Sequence, residues 1–158
     1  DSGARDELPT GLANAARSLR STFGFSSLRL VNTYHGRVGN GGTIDYKSIS
    51  NIQGETADSE SPSFLDWRLS RVRSIQNAGE RPSFSIELFR FGARIPIKAA
   101  GPRDDSGKPA NVNYYESIGL NLEKTGIPSN SPTLVGTLAL PKTTGTILLI
   151  LTIKPVEN

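Results

Sequence analysis

The sequence predicts an α+β, mainly β domain: an antiparallel sandwich or strongly bent sheet carrying one N-terminal helix. Three observations predict it. The apolar residues fall in short runs divided by Gly, Pro, Ser, Thr and Asn, as strands between turns do. One stretch, near the N-terminus, is a convincing helix by its spacing. The last part of the chain, Thr133 to Pro155, reads as a hairpin: Leu134, Val135, Leu138 and Leu140 lead into Pro141-Lys142-Thr143-Thr144-Gly145, and Ile147 to Leu151 and Ile153 follow. The run after Gly145 has no polar face, which predicts a central strand buried on both sides.

The helix is predicted over Leu8 to Phe23, with Leu8, Leu12, Ala15 or Ala16, Leu19 and Phe23 at three-to-four spacing. Asp6 and Glu7 stand at its positive end, Thr10 is a candidate N-cap, and Gly24 follows where a C-terminal cap belongs. From Ser27 the period changes to two, predicting a strand over 27–35; Gly39-Asn40-Gly41-Gly42 then turns the chain into a strand over 43–49. A phosphate loop at these glycines lacks both the Gly-Lys-Ser/Thr sequence and the helix it would open. Asn51 to Ser63 is polar and acidic and reads as a loop; Glu55, Asp58 and Glu60 there lack the alternating ligand spacing of a calcium loop.

Phe64 to Ile75 fits either period. It is read as a strand over 64–75, because Asn77-Ala78-Gly79 follows as a turn and Pro82 opens the next strand. In that next strand, 84–97, Phe84, Ile86 and Leu88 point one way and Phe89, Phe91, Ala93, Ile95 and Ile97 the other. Such a change of face predicts a bulge or bend between Leu88 and Phe91, or two strands that change sheet there, and Pro96 argues that this end lies on an edge or leaves the ladder. Ala99 to Ala110 and Lys124 to Pro132 read as loops, and strands are expected over 112–123, 133–140 and 146–154. The expected core is Phe23, Leu28, Leu30, Trp67, Ile86, Phe91, Ile118, Leu120, Leu138, Leu149 and Leu151.

The 158 residues fit a single domain, and no repeat or linker divides them. Without Cys the chain has no disulfide, thiolate nucleophile or Cys-based metal site. His35 is the only histidine, so a histidine metal cluster is excluded. Neither Gly-x-Ser-x-Gly nor Ser-x-x-Lys occurs, which argues against a serine hydrolase. Glu87, Glu116 and Glu123 are the acids on late strands that a glycosidase pair would have to use. No catalytic residue, metal site or cofactor is expected, and the chain is read as not an enzyme. Its net charge of +3, from 18 basic and 15 acidic residues, is too small and too dispersed to point to nucleic acid. No run approaches the roughly 20 apolar residues of a membrane span.

The one basic and aromatic cluster is Trp67, Arg68, Arg71 and Arg73; with Tyr115 it forms the candidate binding set for a carbohydrate or another polar or anionic small molecule. A solvated strand face is the competing reading of these arginines. The chain has no Met and begins Asp1-Ser2-Gly3-Ala4, which fits a processed end behind a secretory signal peptide.

The stretches Phe84 to Pro96, Tyr115 to Leu120, Pro132 to Thr137 and Ile147 to Pro155 together resemble the C-terminal portion of small uncharacterised bacterial envelope proteins. The tail is similar to the end of secretin core strands, where an apolar strand closes in a Thr and Pro pattern. The resemblance implies a periplasmic or secreted protein with an accessory or interaction role, another envelope protein being its partner. Strand addition at an exposed sheet edge is the expected mode.

Overall fold

A computed structural model describes residues 10–50, 52, 61–76, 79, 81–103 and 109–156. The fold is α+β and mainly β, with antiparallel strands throughout and no closed barrel. Helix α1 (Ala13–Phe23) follows a short 3-10 turn, Thr10–Leu12. It starts later than the apolar spacing predicts, and Leu12, rather than Thr10, occupies the N-cap without a side-chain hydrogen bond. Asp6, Glu7 and Leu8 lie outside the described residues. The far end is as expected: Gly24 adopts φ 69° and donates its N–H to the Arg20 carbonyl at 2.9 Å.

Four strands form one sheet in sequence order: β1 (Gly42–Ser50), β2 (Ser63–Ile75), β3 (Ser83–Arg103) and β4 (Pro109–Pro128). The hairpin of β5 (Thr133–Ala139) and β6 (Thr146–Leu151) makes a second, two-stranded sheet. Its Val135, Leu138, Ile147, Leu149 and Leu151 pack on the buried face of the first. Gly136 permits the close approach, since a Cβ there would collide with Leu120 of β4. The hairpin is therefore an outer layer and not the central strand its apolar run suggests. The centre is β3, paired on both sides: Ile86, Phe89, Phe91, Ala93, Ile95 and Ile97 are all buried, Ile95 completely.

The predicted strand over 27–35 does not form; that stretch is extended but pairs with no ladder. The Gly39–Gly42 turn is present, with Gly42 N–H bonded to the Gly39 carbonyl at 2.8 Å and Gly41 at φ 75°. Gly41 N–H, however, goes to the Val72 carbonyl at 2.7 Å, and β1 pairs with β2, Tyr46 opposite Trp67. The turn is thus spent on a distant strand. In consequence Leu30 is exposed and Leu28 half-buried, against their expected core positions. Phe23 is also exposed, at 49%, stacked on Phe25 beyond the Ala16 and Leu19 stripe that α1 buries. Of the other expected core residues, Ile86 and Phe91 are buried, whereas Trp67, Ile118, Leu120, Leu138, Leu149 and Leu151 are half-buried.

Strands β3 and β4 run well into both stretches read as loops, pairing Ala99 with Val112 and Ser83 with Pro128. The prolines that suggested loops stand at strand ends, where a missing N–H costs no ladder bond. Arg94 is the last β3 residue paired with β2, and Pro96 beyond it pairs with Tyr115 of β4.

The face switch lies one row earlier than predicted, at Glu87. Ile86 is buried, Glu87 exposed and Phe89 buried again, while the register with β4 runs through unshifted. Both neighbours change face at the same row. In β2 the buried positions pass from Leu69 to Val72, and in β4 the apolar positions pass from Leu122 to Ile127. The residues flanking Glu87, Arg71 and Lys124, each sit in the left-handed region at φ 51°. These two residues re-aim their strands so that one side of the sheet stays apolar from end to end.

For a non-glycine residue the left-handed conformation is costly, most of all with a β-branched side chain. Lys124→Val is expected to lose about 1–2 kcal/mol in urea unfolding, while Lys124→Gly loses nothing or gains. Equal losses for both would show that Lys124 does not hold this conformation in solution.

Candidate interaction surface

The period-two pattern of each strand gives the large sheet an inner and an outer face. The row Tyr46, Trp67, Phe91, Leu120 is inner, and the row Asp45, Arg68, Arg90, Asn121 is outer. Trp67 and Arg68, adjacent in sequence, therefore face opposite ways. Trp67 is half-buried, stacked on Tyr46 at 5.9 Å and tilted against Tyr34, also at 5.9 Å. Its indole N–H is buried without an acceptor among the described residues. Tyr34 holds this aromatic group against the extended segment, its hydroxyl 2.7 Å from Ser48 Oγ and accepting from Asn32 Nδ2 at 3.0 Å.

On the outer face Arg68 lies 3.6 Å from the Asp45 carboxylate and donates from Nε to Ser70 Oγ at 3.1 Å. Arg71 donates to both oxygens of Glu87, at 2.6 and 2.8 Å. These hydrogen bonds are the main reason the Glu87 carboxyl titrates below its ordinary range, helped by the charges of Arg71, Arg73 and Lys124; the same pairing raises Arg71. Both groups are exposed, so the pair is screened and contributes little to stability. Arg73 is exposed opposite Ser85.

Tyr115 stands elsewhere on this face. It lies opposite Pro96, six residues along β3 from Arg90, the partner of Arg68, so roughly 20 Å separates the two rows. The five residues proposed as one binding set are thus divided: Trp67 on the inner face, Arg68, Arg71 and Arg73 at one part of the outer face, Tyr115 at another. What joins Tyr115 is a set that sequence reasoning passed over. The Arg94 guanidinium lies 5.3 Å from the Tyr115 ring and 5.8 Å from the Phe64 ring, and the two rings are 5.8 Å apart. Both rings and the neighbouring Ile49 are exposed. The alternation of Phe89, Phe91 and Ala93 already put Arg90 and Arg94 on the outer side; only the register brings Phe64 and Tyr115 to Arg94.

The edges of the large sheet differ. β1 is 9 residues long, irregular between Gly42 and Ile44, and bears Asp45 and Lys47. The extended segment runs beside it, through the Tyr34 to Ser48 contact and through Gly36, where a Cβ would meet Ile44. β4 is 20 residues long and, among the described residues, its one ladder partner is β3. From Val112 to Glu123 it is regular, with Glu116 the one charge before Glu123.

Among the described residues no three His, Asp or Glu side chains gather closely enough for a metal ion, and no helix is long and apolar enough to cross a membrane. Glu55, Asp58 and Glu60 lie outside the described residues. His35 is exposed, and Glu116 accepts a hydrogen bond from the Tyr114 hydroxyl at 3.0 Å, which raises the Tyr114 pKa. No protein-family model, curated protein or solved structure matches the chain.

A depressed carboxylate stabilises the fold above its unfolded pKa and loses that contribution as pH falls through the folded one. Acid unfolding of the protein is therefore expected to steepen below the ordinary glutamate range, and Glu87→Gln to flatten that limb by a small amount. An unchanged acid limb would mean the Arg71 pairing is absent in solution. Trp67 emission is expected to be blue-shifted and resistant to acrylamide, with Tyr34→Ala shifting it to the red; solvent-like emission in the parent protein would contradict the inner placement.

Proposed function

We propose that this is a non-catalytic interaction domain that takes a strand of another protein onto the free edge of β4, in an accessory role outside the cytoplasm. The single observation that carries this reading is the β4 edge itself. Sheet edges expose unpaired N–H and C=O groups and are ordinarily shortened, charged, kinked or covered. β1 is charged, irregular at one end and covered by the segment after α1, whereas β4 from Val112 to Glu123 has one internal charge and no partner on its open side among the described residues.

The outer face beside that edge has the composition of a contact site. An added strand would lay alternate side chains next to Tyr115, Ser117 and Asn121, with Arg94 and Phe64 one and two strands further in. Aromatic and arginine side chains dominate the energetics of protein interfaces. The extracytoplasmic placement, with an envelope protein as partner, rests on the likeness of the second half to envelope proteins.

The reading is tested with a photo-crosslinking residue at Asn121 on β4 or at Lys47 on β1, in cells that make the protein. One discrete adduct from Asn121 and none from Lys47 is expected, and Tyr115→Ala should weaken partner binding about tenfold or more. Adducts from Lys47 alone, or equal labelling from both edges, would overturn strand addition at β4.

A further inference from the structure

A cleft of about 460 Å³ opens between α1, the extended segment after it, the inner face of the large sheet and the β5–β6 hairpin. We infer that this cleft binds a single-chain anionic amphiphile of the fatty-acid type, its hydrocarbon chain between α1 and β6 and its carboxylate at Arg29. The inference is independent of the β4 edge.

The hairpin carries the argument. A strand that is apolar on both faces is normally covered on both. In β6, Leu149 and Leu151 pack on the core of the large sheet, but every residue from Ile147 to Leu151 remains only half-buried. Ile147, Leu148, Leu149 and Ile150 all line the cleft, so Leu148 and Ile150, which are not packed on the core of the large sheet, border it together with their neighbours. Across the space stand Ala16 and Leu19, the two residues that α1 buries, and Phe91 forms part of the floor. The cleft is thus bordered by apolar residues of α1, of the large sheet and of β6. The volume falls in the range of about 300–1,000 Å³ usual for small-molecule sites, and a flexible hydrocarbon chain has the shape to fill such a slot.

The polar residues of the lining are Ser26, Ser27, Asn32, Tyr34, Thr144, Thr146 and one cation, Arg29. Arg29 lies on the lining, is exposed, and donates from Nη2 to the Ile52 carbonyl at 3.0 Å, which steadies the guanidinium at the rim. It makes no ion pair with any described residue. The remaining donors of its planar fork suit a carboxylate bidentately. Among the described residues no acid lines the cleft, and a cationic head group finds no counter-charge among them.

The test uses the delipidated, folded protein and cis-parinaric acid, a fluorescent fatty acid, below its own aggregation concentration. Saturable binding of one probe per chain is expected, reported by probe emission and by energy transfer from Trp67. Dodecanoate should displace the probe at least tenfold more effectively than dodecanol, and Arg29→Gln should abolish that preference. Ala16→Phe, which fills the cleft, should weaken binding at least tenfold while thermal unfolding stays at or above the parent value. Ser18→Phe, an exposed position on the same helix, should leave binding unchanged. Absent or non-saturable binding, binding only by probe aggregates, or equal affinity in the Ala16→Phe and Ser18→Phe variants would overturn the site. Equal displacement by dodecanoate and dodecanol would overturn the carboxylate contact.

Discussion

The constraint on which the rest of the structure depends is that β3 must keep one side against the core although its apolar residues change parity part-way along. A strand alone cannot do this without turning its second half to water. Here three neighbouring strands change together at the row of Glu87, with Arg71 on one side and Lys124 on the other in the left-handed region. Because the register with β4 is preserved, the buried positions before and after the row join one continuous core. The Arg71 to Glu87 pair is a consequence of that row, placed where a side chain is forced outward.

Once β3 is the buried centre, the chain has too few apolar layers to cover everything else. The hairpin covers one side of the large sheet, and α1 reaches the structure mainly through Ala16 and Leu19. Two features are left open among the described residues: the outer edge of β4, which has no ladder partner besides β3, and the apolar run of β6, which is only half-buried. The first offers main-chain hydrogen bonds and the second offers hydrocarbon surface. They call for different ligands, an extended peptide and an acyl chain, and nothing in their geometry requires them to be occupied together.

The outer face of the sheet illustrates how local sequence misleads about a site. Trp67, Arg68, Arg71 and Arg73 look like one cluster because they are close along the chain. In a strand, adjacent residues face apart and residues several places distant lie far apart, so proximity in sequence separates them. Phe64, Arg94 and Tyr115 come from three strands and are distant in sequence, yet their side chains meet. Arg94 could be assigned to the outer face from the alternation around it. Its two aromatic neighbours could not, because cross-strand pairing is a property of the register.

What the sequence determined by itself was whatever depends on local periodicity and turn chemistry. That covers the mainly β class, the period-two character of β2 despite its ambiguous pattern, the hairpin at the C-terminus, the Gly24 cap and the existence of a face switch in β3. Tertiary structure decided which strands pair, which is central and which surface is left open. The Gly41 amide bonds to Val72 and not to the segment before it, so the stretch 27–35 never becomes a strand. The most apolar run in the chain is an outer layer, because burial is set by how many neighbours a strand finds on its edges and faces. β2 and β3 both find ladder partners on two edges, and β3 buries more apolar side chains than any other strand, a count that no one-dimensional pattern records.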